Sequence, residues 1–382
     1  MKILAIETSC DETAAAVVEK RDGEDLVRVL AESKATSEET HKITKGVVPE
    51  LAAREQLATI LPVINKSIRQ AVQFTKDSTS SAGGQLPISK QNPISNDQIT
   101  DWVKENIDAV AVTVGPGLIG SLLVGVETAK TLAIVWKKPL IAINHLVGHL
   151  YANFVGVNDN LPMANDQLIP EFPAIGMVVS GGHTDLVFMR EHGNIEYLGG
   201  TKDDAAGECF DKCARVILDA SYPGGPAISA AADKFEVRSS KFEVSLPRPM
   251  IDSNDYDFSF SGLKTAVQDR VKNYELRITN EYRNALAYEL QEAIVEVLVT
   301  KLIKAVEKYS PSSVVMGGGV AANERLREML GAKFQENKVT VHIPPLKWCA
   351  DNAVMIGASA LFNYSPTEIL SVKADPGLTI KD

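Results

Sequence analysis

Two short apolar strands joined by a polar turn open the chain, and the same unit returns near its middle. Lys2 to Ile6 and Ala14 to Val18 flank the turn Glu7 to Thr13, while Ala174 to Val179 and Leu186 to Phe188 flank Ser180-Gly181-Gly182-His183-Thr184. Each turn sets a Ser four residues before a Thr, as Ser9 and Thr13 and as Ser180 and Thr184. A strand-turn-strand unit cannot bury its apolar face alone, so two copies predict two similar sheets, each needing helices of its own.

The intervening sequence alternates accordingly. Ile107 to Val114 reads as a buried strand, Gly115-Pro116-Gly117 as a turn, Gly120 to Val135 as an apolar helix and Pro139 to Ile143 as a further strand. After the second unit come a helical stretch around Asp203 to Leu218, a long helix over Asn280 to Tyr309 stopped by Pro311, a strand at Val314 to Met316 and a helix at Ala353 to Leu361. This is an α/β pattern with two lobes, 1–168 and 169–382, and a cleft between them. Phe74 to Thr100, rich in Ser, Thr and Asn, reads as a surface insertion or loop.

Charge and targeting signals narrow the class. Cys10-Asp11-Glu12 follows the first strand directly, which no secretory or transit peptide tolerates, and Glu127 and Lys130 interrupt the most apolar window. The four cysteines form no CxxC pair and read as buried thiols in a reducing compartment, so a cytoplasmic enzyme is expected. The net charge of −10 disfavours non-specific attraction to nucleic acid, and an RNA substrate would need a local basic patch or a protein partner.

Three glycine-containing turns follow strands: Glu7 to Thr13, Ser180 to Thr184 and Gly317-Gly318-Gly319. Such turns let backbone N–H groups approach a phosphate, and together they suggest a nucleotide held between lobes. The string GxxxxGK[ST] is absent, and Gly115 to Gly120 matches GxGxxG without an acid some 20 residues on, which argues against P-loop and dinucleotide sites. His145 and His149 stand at i and i+4, so a helix would stack both imidazoles on one face. They are either a metal pair or two helix-surface histidines, and Asp351 is either a third ligand or the N-cap of the helix that follows it. Leu146 occupies the place where a zinc endopeptidase carries its water-activating Glu, which makes peptide hydrolysis a poor fit. Asp11 and Glu12 are candidates for general-base or metal-linked work, or plain turn acids. Asp211 belongs to a run of acids that compensates a helix dipole or accepts ribose hydroxyls.

The blocks IETSCDET, GVVPELAAR, GPGLIGSLLVG, NHLVGHL, VVSGGHT, DDAAGECFDK, YPGGP, DFSFSGLKT, MGGGVAAN and CADNAVM, in this order over nearly the whole chain, resemble the universal TsaD/Kae1/Qri7 family. The resemblance implies a two-lobed actin-like ATPase fold with duplicated, ribonuclease H-like lobes. It implies transfer of a threonylcarbamoyl group from threonylcarbamoyl-AMP to the exocyclic amine of the adenosine following the anticodon of tRNA. It further implies one divalent metal, iron or zinc, on His145, His149 and Asp351. The adenine-nucleotide substrate would lie on Val178, Val179, Ser180, Gly181, Gly182, Asp211, Gly224, Gly225 and Asn323, with Glu12 or Asp11 as proton acceptor. Bacterial members generally work with TsaB and TsaE. The chain departs from the family at Val147, where a Glu is common, in the insertion around Phe74 to Thr100, and in the tail after Tyr364.

Overall fold

The computed structural model describes residues 1–36, 48–80, 94–156, 169–220, 222–235, 242, 244–273, 279–335 and 339–382. The expected lobe boundary at 168 and the middle of the expected insertion, 81–93, lie outside the described residues.

Two five-stranded sheets carry the molecule. The first joins β1 (Lys2–Glu7), β2 (Glu12–Glu19), β3 (Arg28–Thr36), β4 (Ala109–Gly115) and β5 (Leu140–Asn144) in the order β3-β2-β1-β4-β5. The second joins β6 (Ala174–Val179), β7 (Thr184–Glu191), β8 (Asn194–Gly200), β9 (Ser313–Gly317) and β10 (Thr340–His342) in the order β10-β9-β6-β7-β8. Written from the other edge, the second order repeats the first. Each sheet has an antiparallel three-strand meander followed by two parallel strands. The chain therefore has the duplicated, actin-like α/β fold that the sequence predicts.

The repeat is less regular than the Ser and Thr spacing suggests. In the first hairpin the last paired residues are Glu7 and Ala14; in the second they are Val179 and Thr184. Six residues thus close the first turn and four the second. Thr13 pairs with Ala35 of β3, whereas Thr184 closes its own hairpin, so the two Thr residues are not equivalent.

The helices are α1 (Pro49–Ser80), α2 (Asn96–Asn106), α3 (Ile119–Trp136), α4 (His145–Tyr151), α5 (Ala206–Leu218), α6 (Gly224–Ala232), α7 (Ser261–Asn273), α8 (Asn280–Tyr309), α9 (Glu324–Phe334) and α10 (Ala353–Phe362). Most of the expected loop at Phe74 to Thr100 that is described proves helical. Its first part ends α1, and Asn96 onward forms α2, opened by a capping box between Ser95 and Gln98. Phe74, Ile94 and Ile99 pack against the core of the first sheet, an apolar spacing too sparse to be read against the polar composition. The apolar helix α3 packs on β4 and α1, with Leu122, Val126, Ala129 and Ala133 buried.

Helices α4 and α10 lie between the two sheets. One cluster unites Ile3, Ala5 and Val18 of the first sheet, Leu146 and Leu150 of α4, Met355 and Ile356 of α10, and Val178, Val187 and Val315 of the second sheet. The late helix α10 packs on β1 and β2, so the chain returns to the first sheet after completing the second. Three of the four cysteines are buried as expected, but Cys10 is partly exposed because it sits in the first turn.

Candidate functional site

Helix α4 starts where β5 ends, and Asn144 caps it by accepting N–H bonds from Leu146 (2.9 Å) and Val147 (3.4 Å). The i, i+4 spacing then stacks His145 and His149, with ring centroids 4.6 Å apart, both buried. Asp351 precedes α10 and is not its cap; that role falls to Asn352, whose side chain accepts from the Met355 N–H. Asp351 is instead free to turn its Oδ1 to within 3.4 Å of both His145 Nε2 and His149 Nε2. One potential ligand atom from each residue lies within 4.8 Å of the others.

These three residues fit a metal ion. His149 is wholly buried, its Nδ1 has no hydrogen-bond partner and its Nε2 has only the Asp351 carboxylate at a long 3.4 Å, a costly state for an imidazole unless a ligand completes it. Two imidazoles and a carboxylate form a donor set that suits a divalent transition metal and leaves positions open. Glu7, at the end of β1, supplies the outer support. Its Oε2 lies 3.2 Å from His145 Nδ1 and accepts a bond from the Thr113 hydroxyl, and its Oε1 accepts the Ser9 N–H at 2.6 Å. A carboxylate on the far nitrogen fixes the ring and its tautomer.

Electrostatics follow from this packing. Burial alone would lower the basicity of His145, but Glu7 and Asp351 on its two sides push its pKa well above the ordinary value. Burial would raise the Asp351 and Glu7 carboxyls, and the His145 charge instead holds both below their usual range. His149 is lowered by burial and by its charged neighbour His145. His183, in the second turn, is pushed down to about 4 by burial and by the charges of the same two histidines.

Glu12 begins β2 and is shifted up to about 7, mainly by burial and by Asp351, with Lys34 opposing. The Lys34 ammonium pairs with the Glu12 carboxylate and also donates to the Asp351 backbone carbonyl at 3.2 Å. Two residues away on the same strand, Glu32 accepts the Trp348 Nε1–H at 3.0 Å. Strand β3 thus braces the loop that carries Asp351. Asp11 is buried in the same turn.

The second-sheet candidates sit at the end of β6 and on the turn after it, on α5, at the start of α6 and before α9. Gly317, which ends β9, has no room for a side chain because the His149 carbonyl presses on it, and this contact brings the second sheet to the triad. The turn after β6 closes on itself through the Ser180 N–H to the His183 carbonyl (2.8 Å). A side chain at Gly181 or Gly182 would meet nothing within 4 Å, and the same holds at Gly225. Val178 and Val179 are wholly buried, so only their backbone can face a ligand. Asp211 accepts the Gly224 N–H through Oδ1 at 2.6 Å, which ties it to the start of α6. The other acids of that run also have separate tasks: Asp204 and Glu208 pair with Lys212, and Asp203 accepts bonds from the Phe260 and Ser261 N–H groups and two serine hydroxyls. Asn323 is anchored, its Nδ2 donating to Ser229 Oγ (3.1 Å) and Gln291 Oε1 (2.9 Å) while its Oδ1 caps α9.

Sequence reasoning missed Glu7, Lys34 and His183. Glu7 was visible as a lone acid closing an apolar strand; Lys34 lies on a strand whose pattern is not alternating; His183 was inside a motif already singled out.

The model of the TsaD family, tRNA N6-adenosine threonylcarbamoyltransferase, matches residues 98–358. The chain belongs to the TsaD family. It is 41% identical over 384 aligned residues to the tRNA N6-adenosine threonylcarbamoyltransferase of Bacillus thuringiensis strain Al Hakam, covering 99% of this chain and 96% of that protein. It is 43% identical to the protein of the same name from Syntrophomonas wolfei, covering 98% and 97%. Among solved structures, HypF of T. kodakarensis superposes with a TM-score of 0.54 at 13% identity over 97% of this chain and 49% of that one, a likeness of fold. The triad and the open glycine turn are thus features of a chain in a transferase family that modifies tRNA.

Proposed function

We propose that the chain transfers the threonylcarbamoyl group of threonylcarbamoyl-AMP to the exocyclic amine of the adenosine 3′ of the anticodon, in tRNAs that read codons starting with adenine. The observation that carries this reading is the convergence of His145, His149 and Asp351 beside an open glycine turn, in a chain of this family.

The backbone N–H groups of Gly181 and Gly182 offer a cradle for the phosphate of the adenylate, whose nucleoside extends along Gly224, Gly225 and Asn323. In the transfer a C–N bond forms between the adenine amine and the carbamoyl carbon, and the carbamoyl C–O bond to phosphate breaks. AMP departs with the bonding electron pair. The amine proton goes to a carboxylate of the first turn, Glu12 before Asp11, because burial makes Glu12 the better base. A divalent metal on His145, His149 and Asp351, iron or zinc, would supply Lewis-acid polarisation of the carbamoyl oxygen. The target base leaves its stack to reach the cleft, which a single-stranded anticodon loop makes inexpensive.

An acidic chain that handles RNA needs help, and the resemblance names TsaB and TsaE. Helix α1 leaves Leu57 and Leu61 exposed at i, i+4 spacing, and α3 leaves Ile119 and Leu123 exposed in the same way, although the two helices pack together. This apolar strip suits a protein partner such as TsaB. The reading goes with a cytoplasmic location, where tRNA and free, unpaired thiols coexist.

The test is incorporation of threonylcarbamoyl into an unmodified tRNA transcript, with threonylcarbamoyl-AMP, metal, TsaB and TsaE supplied. Wild type should incorporate it and His149→Ala should lose about 100-fold or more in rate. No incorporation by wild type under any partner combination would instead favour a nucleotide-dependent switch.

A further inference from the structure

The segment after Tyr364 runs over both sheets. Thr367 pairs with Leu140 at the start of β5, its N–H donating to the Leu140 carbonyl at 2.8 Å. The Asp375 N–H donates to the Val114 carbonyl at 2.7 Å, at the end of β4, and the Asp375 carbonyl leaves no room for a side chain at Gly115. The Thr379 carbonyl accepts from Asn144 Nδ2 at 2.7 Å. Ile380 is buried in the cluster that holds Leu146 and Leu150 of α4. The Lys381 ammonium lies 4.0 Å above the Tyr197 ring on β8, and Asp382 accepts the Thr379 N–H and hydroxyl, both at 2.8 Å, closing the end of the segment.

We propose that residues 375–382 are a positioning strap for the metal-bearing helix, acting through the Thr379 carbonyl on Asn144. An Asn amide has one donating and one accepting end. With Nδ2 held by Thr379, Oδ1 must face the Leu146 and Val147 N–H groups, so the strap fixes the cap and its orientation. Helix α4 has seven residues, far too few to be stable on its own, and its ends decide where its rings point. His145 directly follows Asn144. The strap also spans from the first sheet to Tyr197 of the second, so it sets the helix relative to both walls of the cleft. The inference rests on the reading of His145, His149 and Asp351 as a metal site.

The experiment compares the full chain with a chain lacking residues 377–382, with Ile380→Ala, with Asn144→Ala, and with the truncation combined with Asn144→Ala. Hydrogen exchange of the α4 amides is followed by mass spectrometry, and zinc affinity by chelator competition. Loss of the strap should speed exchange over 144–151 by about fivefold to tenfold, the effect of losing an N-cap. Zinc affinity should fall by about 10–100-fold, as when outer supports of metal ligands are lost. Both effects should largely vanish in the Asn144→Ala background, because the two changes break one connection. Unchanged exchange in α4, or fully additive effects with Asn144→Ala, would overturn the strap. Absence of zinc binding at the triad in wild type would overturn the metal reading instead, and α4 exchange would still decide the strap. Should the truncated chain fail to fold, Ile380→Ala, which loosens the anchor within a full-length chain, decides by the same two readings.

Discussion

The two hairpin turns stand at the same place in two copies of one sheet, yet they are built in opposite ways. The first is pressed into its lobe. Thr8 donates to the Ser121 carbonyl at 2.8 Å, the Ser9 carbonyl accepts the Leu118 N–H at 2.7 Å, and Gln56 Nε2 donates to the carbonyls of Cys10 and Glu12. The second bonds to itself, and its glycines border open space. One turn spends its backbone on packing and presents carboxylates; the other uses the Ser180 and His183 N–H groups to close itself and leaves Gly181 and Gly182 beside open space. The two sheets thus supply similar frames, and residue choice makes one turn packed and acidic and the other open, the division that the proposed proton and phosphate roles would use.

Breaking the acidic side should have the larger effect. Glu7→Gln removes the charge that orients His145, and zinc affinity should drop about 10–100-fold in chelator competition, with the fold retained. An unchanged affinity would mean that Glu7 serves the turn alone. On the open side, a Cβ at Gly182 meets nothing within 4 Å, so the melting temperature of Gly182→Val should stay within about 1–2 °C of wild type. The KM for threonylcarbamoyl-AMP should still rise about tenfold, the worth of a hydrogen bond to a charged group. The counterpart is Gly117→Ala, whose methyl would collide with the Ser9 carbonyl. It should cost about 1–3 kcal/mol of stability by urea unfolding. If Gly182→Val destabilised the chain as much as Gly117→Ala, the contrast between a packed and an open turn would fail.

Much of this contrast could be read from the sequence. The apolar runs around both turns gave their strands, the HxxxH spacing gave the histidine face, and the ordered motif blocks supplied the family. What stayed hidden was pairing across distance. Nothing near Lys34 announces that its ammonium will meet Glu12 and a carbonyl more than 300 residues away. Asp211 reads as an open acid until α6 is folded onto it, and Asp203 reads as the start of α5 until the loop before α7 arrives. Composition also misled at Phe74 to Thr100, whose described ends belong to helices seated largely by apolar residues outside that window, such as Ile68 and Val72 of α1 and Val103 of α2. Local patterns specify elements; the partners of a buried charge depend on which elements meet.

The Lys34 bridge offers the finest test of the acidic turn. Glu12 sits at about 7 because burial and Asp351 raise it more than Lys34 lowers it. If Glu12 accepts the amine proton, the single-turnover rate should rise with pH as the carboxyl ionises, at or below about 7 because a metal on Asp351 offsets the charge that raises Glu12. Lys34→Met removes the lowering influence, so the midpoint should move upward and the rate near neutrality should fall about threefold, recovering at higher pH. Lys34→Arg keeps a cation there and should shift the profile less. Stability carries the opposite sign. A carboxyl raised above its ordinary 4.5 binds its proton more tightly in the folded chain, so stability declines as pH rises from 4.5 through about 7. Lys34→Met should extend that decline to higher pH. A rate profile that ignores Lys34→Met, with the same metal bound, would move the proton acceptor away from Glu12 and leave the bridge a structural brace for the Asp351 loop.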